Sequence, residues 1–304
     1  MSKFNLDSVV ETVQKSMKKD DRRAGQFGTG DKLSKISDNP EDFVVMPEWF
    51  EESYGVLGLQ FGRIFQWAGR SDSGKTSFAI VAMKAAQEQG FGVIYVETEG
   101  KTTTADLEAW GVDPAGVMLV KTAITEEAFD GAFKLWDAFF KKYPNDKLLF
   151  IYDSYGNTVS QGDSEIDMTK KVGRVGGAAK TNRLGINTMI AKMQEDPVAV
   201  LFINYTYANM GAPGRVNAGG EALGFFSTII VQTSRKAWLE GTRKGIKEKV
   251  RKGAKVKWST YKNHYAKSLV DEAGNQILLP KAIELDITSE GIKLAGGKVD
   301  EDEE

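Results

Sequence analysis

The chain has 304 residues, of which 41% are hydrophobic, so it can bury a substantial core in one main domain. It contains no cysteine, which excludes disulfide frameworks and thiolate metal sites and favours a reducing cytoplasm. No segment has the apolar core of a signal peptide or the roughly 18 consecutive apolar residues of a membrane span, so neither secretion nor membrane insertion is expected.

The formal net charge of -2 conceals an uneven distribution of charge. Residues 235–267 include 12 Lys or Arg and two acids, whereas the final segment VDEDEE is almost entirely acidic. A basic segment with an acidic tail indicates a nucleic-acid surface and a competing anionic flap. A solvated hairpin and a solubilising tail explain the same charges equally well.

The predicted elements begin with a short appendage. Residues 7–19 have the spacing of an amphipathic helix, and the Gly-rich, charged stretch DDRRAGQFGTGDK indicates a linker. GRIFQWAG is then a predicted strand, residues 75–89 are a predicted helix ended by Gly90, and FGVIYVETE is the next strand. This order is that of a βαβ unit.

Helices and strands continue to alternate along the chain. A helix is predicted in ITEEAFDGAFKLWDAFFKK and another over residues 178–194, with strands LLFIYD, VAVLFIN and TIIVQT. From residue 254 onward the pattern is β-rich, with AKVKWSTYK and KAIELDI. The apolar strands do not alternate with polar residues, which is typical of a mainly parallel sheet covered by helices on both faces. The predicted fold class is α/β.

A phosphate-binding motif follows the first strand of the βαβ unit. GRSDSGKT, residues 69–76, fits GxxxxGK[ST] and lies between a predicted strand and a predicted helix start, as the motif requires. In such a loop the backbone amides bind the β-phosphate, Lys75 contacts the β- and γ-phosphates and Thr76 binds Mg²⁺. The predicted nucleotide-binding residues of this loop are Gly69, Arg70, Ser71, Asp72, Ser73, Gly74, Lys75, Thr76 and Ser77.

Two strand ends supply acids to the predicted nucleotide site. Asp153, at the end of LLFIYD, is predicted to hold the water shell of the metal together with Thr76. Glu97 and Glu99 are predicted to lie on one face of the strand that follows the P-loop helix, and Glu99 is the candidate base for the attacking water. The alternative is that one or both are solvated acids at a strand end, which fits Glu97 better than Glu99.

Between residues 58 and 266 the chain contains, in order, the segments GLQFGRIFQWAGRSDSGKTS, VIYVETEG, WGVDP, LFIYDS, VLFINY, NAGGEALGFF and KNHYA. Together they resemble the core of RecA-type strand-exchange recombinases, and the resemblance runs from about residue 7 to about residue 292. DSYGN and INYTYA look more like the phage recombinases of the UvsX kind, and GQFGTGDKL looks like the bacterial RecA linker.

The resemblance implies a P-loop NTPase with a RecA-like core over residues 39–294. An N-terminal helix and linker for protomer contact would occupy residues 1–38, and an acidic disordered tail would occupy residues 295–304. It implies an ATPase that uses ATP and Mg²⁺, with Glu99 and Lys75 as catalytic residues. The implied partners are single-stranded DNA, homologous duplex DNA and further copies of the chain in a helical filament, with a loader and a single-strand-binding protein as further candidates.

The resemblance also implies two DNA-binding loops that line a filament axis, near residues 160–177 and 205–220. Both are Gly-rich and basic, which suits a phosphate backbone, although a Gly-rich loop by itself indicates only flexibility. The implied DNA-binding residues are Lys170, Lys171, Arg174, Tyr207, Met210 and Arg215.

Further residues are implied at the contact between protomers. Phe225 resembles an aromatic that docks on the next subunit, and the alternative is a core phenylalanine. Lys262 and His264 match the pair that reaches across to the ATP of a neighbouring subunit.

Three positions depart from the bacterial RecA pattern. Tyr205, which we still place at the nucleotide, stands where RecA has a glutamine that senses the γ-phosphate. His264 stands where a second lysine is usual, so the charge it offers would depend on pH. Asp106 stands where RecA stacks an aromatic on adenine. The sequence ends shortly after IELDITSEGIKL, so we also expect the C-terminal lobe of bacterial RecA to be missing.

Two other functions fit the same motifs. A ring helicase would share the RecA-like core, but the linker resemblance speaks against it. A non-catalytic recombination mediator would bind ATP and a partner recombinase without exchanging strands, and the presence of both Glu99 and Asp153 speaks against that function.

Overall fold

The computed structural model describes residues 6–17, 37–164, 177–208, 215–243, 246–271 and 273–295. The helices in these ranges are α1 (Leu6–Ser16), α2 (Trp49–Tyr54), α3 (Lys75–Glu88), α4 (Thr104–Ala109), α5 (Thr125–Lys142), α6 (Gln161–Ser164), α7 (Gly177–Lys192) and α8 (Ala222–Phe226). The strands are β1 (Phe43–Val45), β2 (Gly58–Gln60), β3 (Ile64–Gly69), β4 (Gly92–Glu97), β5 (Val117–Lys121), β6 (Leu148–Asp153), β7 (Val198–Ala208), β8 (Arg215–Asn217), β9 (Ile229–Arg243), β10 (Ile246–Asn263), β11 (Ala282–Thr288) and β12 (Gly291–Leu294).

One large sheet organises the chain. Its strand order is β12-β11-β10-β9-β3-β7-β6-β4-β5, and all pairs from β9 to β5 are parallel, whereas β10, β11 and β12 extend it with antiparallel pairs. Every residue of β3 and β6 is buried, which explains why these strands are apolar without alternation. The mainly parallel α/β fold predicted from the sequence is confirmed.

Apolar side chains fill both faces of the sheet. Helix α3 covers one face through an aromatic cluster, in which the Phe78 ring stacks on Trp67 at 4.2 Å between centroids and meets the edge of Trp258 at 5.3 Å. Helices α5 and α7 cover the other face with Phe129, Trp136 and Met189 among the buried residues. Because α3 begins at the P-loop, the aromatic cluster also fixes the start of the predicted nucleotide site.

The strands around the predicted second loop and the basic segment are longer than the sequence predicted. Strand β7 continues to Ala208 and pairs with β8, so the root of the second predicted loop is a two-stranded ribbon. Strands β9 and β10 form a long hairpin, of which only residues 229–233 also pair with β3. The basic segment is therefore a hairpin that runs past the carboxyl edge of the parallel strands, with register shifts that interrupt its pairing.

The predicted domain boundaries stay predictions. Residues 18–36, which hold most of the predicted linker, and residues 296–304 of the predicted acidic tail lie outside the described residues. Within the described ranges, no helix combines the length and apolar character needed to cross a membrane.

We expect Phe78→Ala to lower the free energy of unfolding by about 3–5 kcal/mol, because it leaves a cavity in the aromatic cluster. The midpoint and slope of urea unfolding measure this change. Tyr143→Ala, at a 43% exposed ring after α5, is the control and should change stability much less. A loss below about 1 kcal/mol for Phe78→Ala would mean that the cluster does not anchor α3.

Candidate nucleotide-binding site

The P-loop joins β3 to α3 and lies against the antiparallel strands. A Cβ at Gly69 would lie 2.1 Å from the Thr233 hydroxyl oxygen and 2.4 Å from its carbonyl oxygen. Gly74 has a φ of +83°, and a Cβ there would lie 2.1 Å from Cδ1 of Ile287. Only glycine fits at either position. The loop is therefore positioned by β9 and β11 as well as by its own strand and helix.

Hydrogen bonds inside the P-loop hold its side chains in place. The hydroxyls of Ser73 and Thr233 share a hydrogen bond of 2.6 Å, and the Lys75 ammonium donates to the Arg70 carbonyl at 2.7 Å. Lys75 is only 6% exposed, and burial lowers its pKa. A buried ammonium whose main acceptor is one carbonyl is placed to bind the stronger acceptors that phosphate oxygens provide.

A hydroxyl and a carboxylate meet beside the first turn of α3. The Thr76 hydroxyl donates to Oδ2 of Asp153 at 2.9 Å. Asp153 is 6% exposed, and burial raises its pKa to about 6. Hard oxygen donors of this kind fit Mg²⁺, which takes one or two protein ligands and completes its shell with phosphate oxygens and water. The described residues contain no cluster of three or more His, Cys, Asp or Glu that could hold a metal ion.

Glu99 is held by three hydrogen bonds. Its Oε1 accepts from the Ser154 and Tyr205 hydroxyls, both at 2.7 Å, and its Oε2 accepts from the Lys101 ammonium at 2.6 Å. Burial raises the pKa of Glu99, but these hydrogen bonds outweigh burial and leave the pKa below its ordinary value. The carboxylate therefore stays charged, as a base must be.

Glu97 is buried at the end of β4, which differs from the predicted arrangement. Strand β4 ends at Glu97, so the expected arrangement of Glu97 and Glu99 along one strand face is wrong. Glu97 is 4% exposed rather than solvated, and its carboxylate accepts the backbone N–H groups of Glu99, Gly100 and Lys101 at 2.7–3.2 Å. It shapes the turn that carries Glu99 into the site.

The comparison with protein families matches this architecture. The family model described as RecA N-terminal domain matches residues 17–284. The chain belongs to the RecA family.

Curated RecA proteins are similar to this chain at modest identity. Protein RecA of Malacoplasma penetrans (strain HF-2) is 28% identical over 205 residues, which cover 66% of this chain and 60% of that protein. Protein RecA of Mycoplasma pneumoniae is 27% identical over 66% of this chain and 59% of its own length, and Protein RecA of Acholeplasma laidlawii (strain PG-8A) is 27% identical over 83% and 74%. The chain thus spans about 60% of the length of the first two relatives.

The DNA-binding residues that the RecA resemblance implied fall into two groups. Lys170, Lys171, Arg174 and Met210 lie outside the described residues. Tyr207 and Arg215 lie on the ribbon formed by β7 and β8, where Tyr207 is 53% exposed. The Arg215 guanidinium donates to the hydroxyl of Thr206 at 2.7 Å and also to its carbonyl oxygen.

The roots of the two implied loops pack against each other. A Cβ at Gly156 would lie 2.4 Å from Cβ of Ala218, and one at Gly219 would lie 2.4 Å from the Tyr155 ring. Tyr205 belongs to the same root, and its ring also lies under the Lys75 ammonium at 4.7 Å from the centroid. A single residue therefore contacts the P-loop lysine, Glu99 and the base of the second loop.

Lys262 and His264 lie far from the P-loop of their own chain. Asn263 pairs with Ile229 beside the amino end of β3, whereas the P-loop follows its carboxyl end, roughly 17 Å away along the strand. Lys262 donates to the carbonyl oxygens of Gly224 and Phe225 at 3.0 and 2.9 Å. Any contact of Lys262 with a nucleotide would therefore involve another copy of the chain.

The surroundings of Phe225 and His264 decide two open points. Phe225 is 78% exposed, so the alternative of a core phenylalanine is wrong.

Burial lowers the pKa of His264, as do the nearby cations Lys262, Arg63 and Lys267. His264 is therefore neutral near pH 7, and Lys262 is the cation of this pair.

Two charged side chains at the site were not predicted. Lys101 bonds Glu99, and its position two residues after a candidate base was the only sequence signal available. Arg235, in the basic hairpin, lies 3.1 Å from Asp72 of the P-loop and stacks on Trp238 at 4.0 Å. Nothing local in the sequence connects residues 163 positions apart.

We expect His264→Asn to remove part of the acid sensitivity of the fold. The folded chain holds the pKa of His264 below its ordinary 6.5, so the unfolded chain binds the proton more readily. Wild-type stability should therefore fall as the pH drops below about 6.5, and that part of the loss should be absent in the variant. Urea unfolding at a series of pH values measures the difference, and identical pH slopes for both proteins would contradict the burial and charge assigned to His264.

Proposed function

We propose that the chain is an ATP-dependent DNA recombinase that forms helical filaments on single-stranded DNA and catalyses homologous pairing and strand exchange. The observation that carries this proposal is the hydrogen bond from the Tyr205 hydroxyl to Glu99, because it joins the candidate catalytic base to the root of an implied DNA-binding loop. A DNA-stimulated ATPase needs such a link between its two ligands.

Hydrolysis of ATP would use the residues gathered around the P-loop. Lys75 would bind the β- and γ-phosphates, and Thr76 with Asp153 would hold Mg²⁺, which supplies charge neutralisation at the phosphates when bound. Glu99 would orient and deprotonate the attacking water. Oε1 of Glu99 accepts from two hydroxyls and Oε2 accepts only from Lys101, so Oε2 keeps an acceptor site for that water.

Filament formation would bring two different surfaces of neighbouring chains together. Lys262 and Phe225 lie side by side, and Phe225 is exposed as a docking aromatic should be. On α1, Val9 and Val13 lie four residues apart on one face and are 58% and 37% exposed, so the helix has an apolar stripe for a neighbour. Joined in this way, the Lys262 of one chain would reach the nucleotide of the next.

Single-stranded DNA would lie along the ribbon of β7 and β8 and the loop near residues 160–177. Tyr207 would stack on bases and Arg215 would bind phosphate, which gives strong salt dependence and little sequence preference. The basic hairpin of β9 and β10 offers a second surface for a polyanion, and homologous duplex DNA is the partner we assign to it. DSYGN and INYTYA support a phage-type recombinase, in which a loader and a single-strand-binding protein would assist assembly.

We expect Glu99→Gln to lower the ATP turnover number at least about 100-fold while ATP and DNA binding are retained, because the amide cannot accept the proton. A steady-state phosphate-release assay with single-stranded DNA measures turnover, and equilibrium titration measures binding. Asp130→Asn, an exposed acid of α5, is the matched control and should leave turnover unchanged. Unchanged turnover in Glu99→Gln would remove this residue from the mechanism.

We expect electron microscopy to show extended helical filaments with single-stranded DNA, Mg²⁺ and a non-hydrolysable ATP analogue, and none without nucleotide. Closed rings would favour the ring helicase, and isolated chains would favour the mediator.

In the same conditions Arg215→Ala should weaken DNA binding. It should also reduce the slope of log binding constant against log salt concentration by about one, because one phosphate contact is lost. Lys134→Ala, an exposed cation of α5, is the control, and an equal effect there would contradict the assignment of Arg215.

A further inference from the structure

A groove continues from the phosphate-binding loop along the first turns of α3. One cavity of about 250 Å³ surrounds the P-loop, and a second of about 230 Å³ lies beside it. The two share five lining residues, so they form one continuous space. The shared residues are Thr76, Ser77, Glu99, Lys101 and Asp153. A nucleotide with its phosphates in the first cavity has the second as adjoining space for its nucleoside.

Trp110 lines the second cavity. It is the only aromatic side chain among the described residues that line this cavity, and it is half-buried. Its backbone N–H donates to the Leu107 carbonyl at the end of α4, and it packs at the edge of the core under α3. The ring also borders a neighbouring cleft of about 680 Å³, whose other side includes Ser289 and Gly291 between β11 and β12. A flat apolar surface thus faces the space beyond the phosphates.

Asp106 also lines this cavity, but its carboxylate caps the start of α4. Its carboxylate accepts from the backbone N–H and the hydroxyl of Thr103 at 2.8 and 2.6 Å, which forms a capping box at the start of α4. A carboxylate held in this way offers no apolar face. Trp110 follows four residues later, so it lies on the same side of the helical turn.

We propose that Trp110 is the stacking platform for the nucleobase of the bound nucleotide. This inference rests on the proposed function, because it requires the P-loop to bind a nucleoside triphosphate. An indole ring stacks on any base, so Trp110 contributes affinity for a nucleoside without choosing among bases. Thr102 also lines this cavity, so its hydroxyl is available to contact the edge of the base.

The test compares a ligand that has a base with one that has none. The 304-residue chain and its variants are titrated calorimetrically, in the presence of Mg²⁺, with a non-hydrolysable ATP analogue and with inorganic tripolyphosphate. Trp110→Ala should weaken binding of the ATP analogue roughly 5- to 150-fold, the range for loss of one base–aromatic stack, and leave the affinity for tripolyphosphate unchanged. Trp110→Tyr should restore most of the affinity for the analogue, because it retains a ring.

Control variants separate this inference from the proposed function. Tyr143→Ala, an exposed ring after α5, should bind both ligands as the wild type does. Lys75→Ala should lose affinity for both. If the wild type binds neither ligand, the proposed function fails together with the inference.

Two results would overturn the assignment of Trp110 alone. An equal loss of the analogue and of tripolyphosphate in both Trp110 variants would show that the side chain only supports the fold. Unchanged binding of the analogue in Trp110→Ala would show that the base lies elsewhere. Thermal unfolding of each variant reports whether it is folded, and Trp110→Tyr decides the question if the alanine variant unfolds.

Discussion

The close contact of the P-loop with strands β9 and β11 is the constraint on which the site depends. Neither Gly69 nor Gly74 has room for a Cβ, because Thr233 and Ile287 occupy that space. The Trp258 indole N–H also donates to the Ser73 carbonyl at 3.4 Å from the antiparallel part of the sheet. The phosphate-binding amides are therefore fixed by strands that belong to the same sheet as the basic hairpin, and a shift in one displaces the other.

The contacts of Tyr205 explain how two ligands could influence each other. Its hydroxyl bonds Glu99, its ring lies under the Lys75 ammonium, and its backbone N–H donates to the Asn204 side chain at the loop root. A phosphate that draws Lys75 away from its carbonyl acceptor changes the charge above this ring. If DNA binds this loop as we propose, it would alter the hydrogen bonds of Glu99 in return, because coupling between two binding sites is mutual.

Local sequence patterns predicted the fold and the P-loop, but they did not predict contacts between residues that are distant in the sequence. Strand and helix periodicity gave the α/β class, and the spacing of GRSDSGKT with its flanks placed Lys75 and Thr76 correctly at the start of α3. The sequence did not show that β4 ends at Glu97, because three backbone N–H groups of the following turn decide where that carboxylate points. The pairing of Arg235 with Asp72 depends on how far the hairpin extends, which is a property of strand register.

The direction of the sheet has a consequence for assembly. Each chain carries its P-loop at one edge of the parallel strands and Lys262 at the opposite edge, so the proposed filament would bring the two together by a head-to-tail arrangement. Such an interface does not close on itself in pairs. If Lys262 completes the nucleotide site of a neighbour as we propose, a row of chains would contain one fewer complete site than it has members, because the P-loop at one terminus would lack a neighbour. In such a filament the number of complete nucleotide sites would depend on its length, and short filaments would have the largest fraction of incomplete sites.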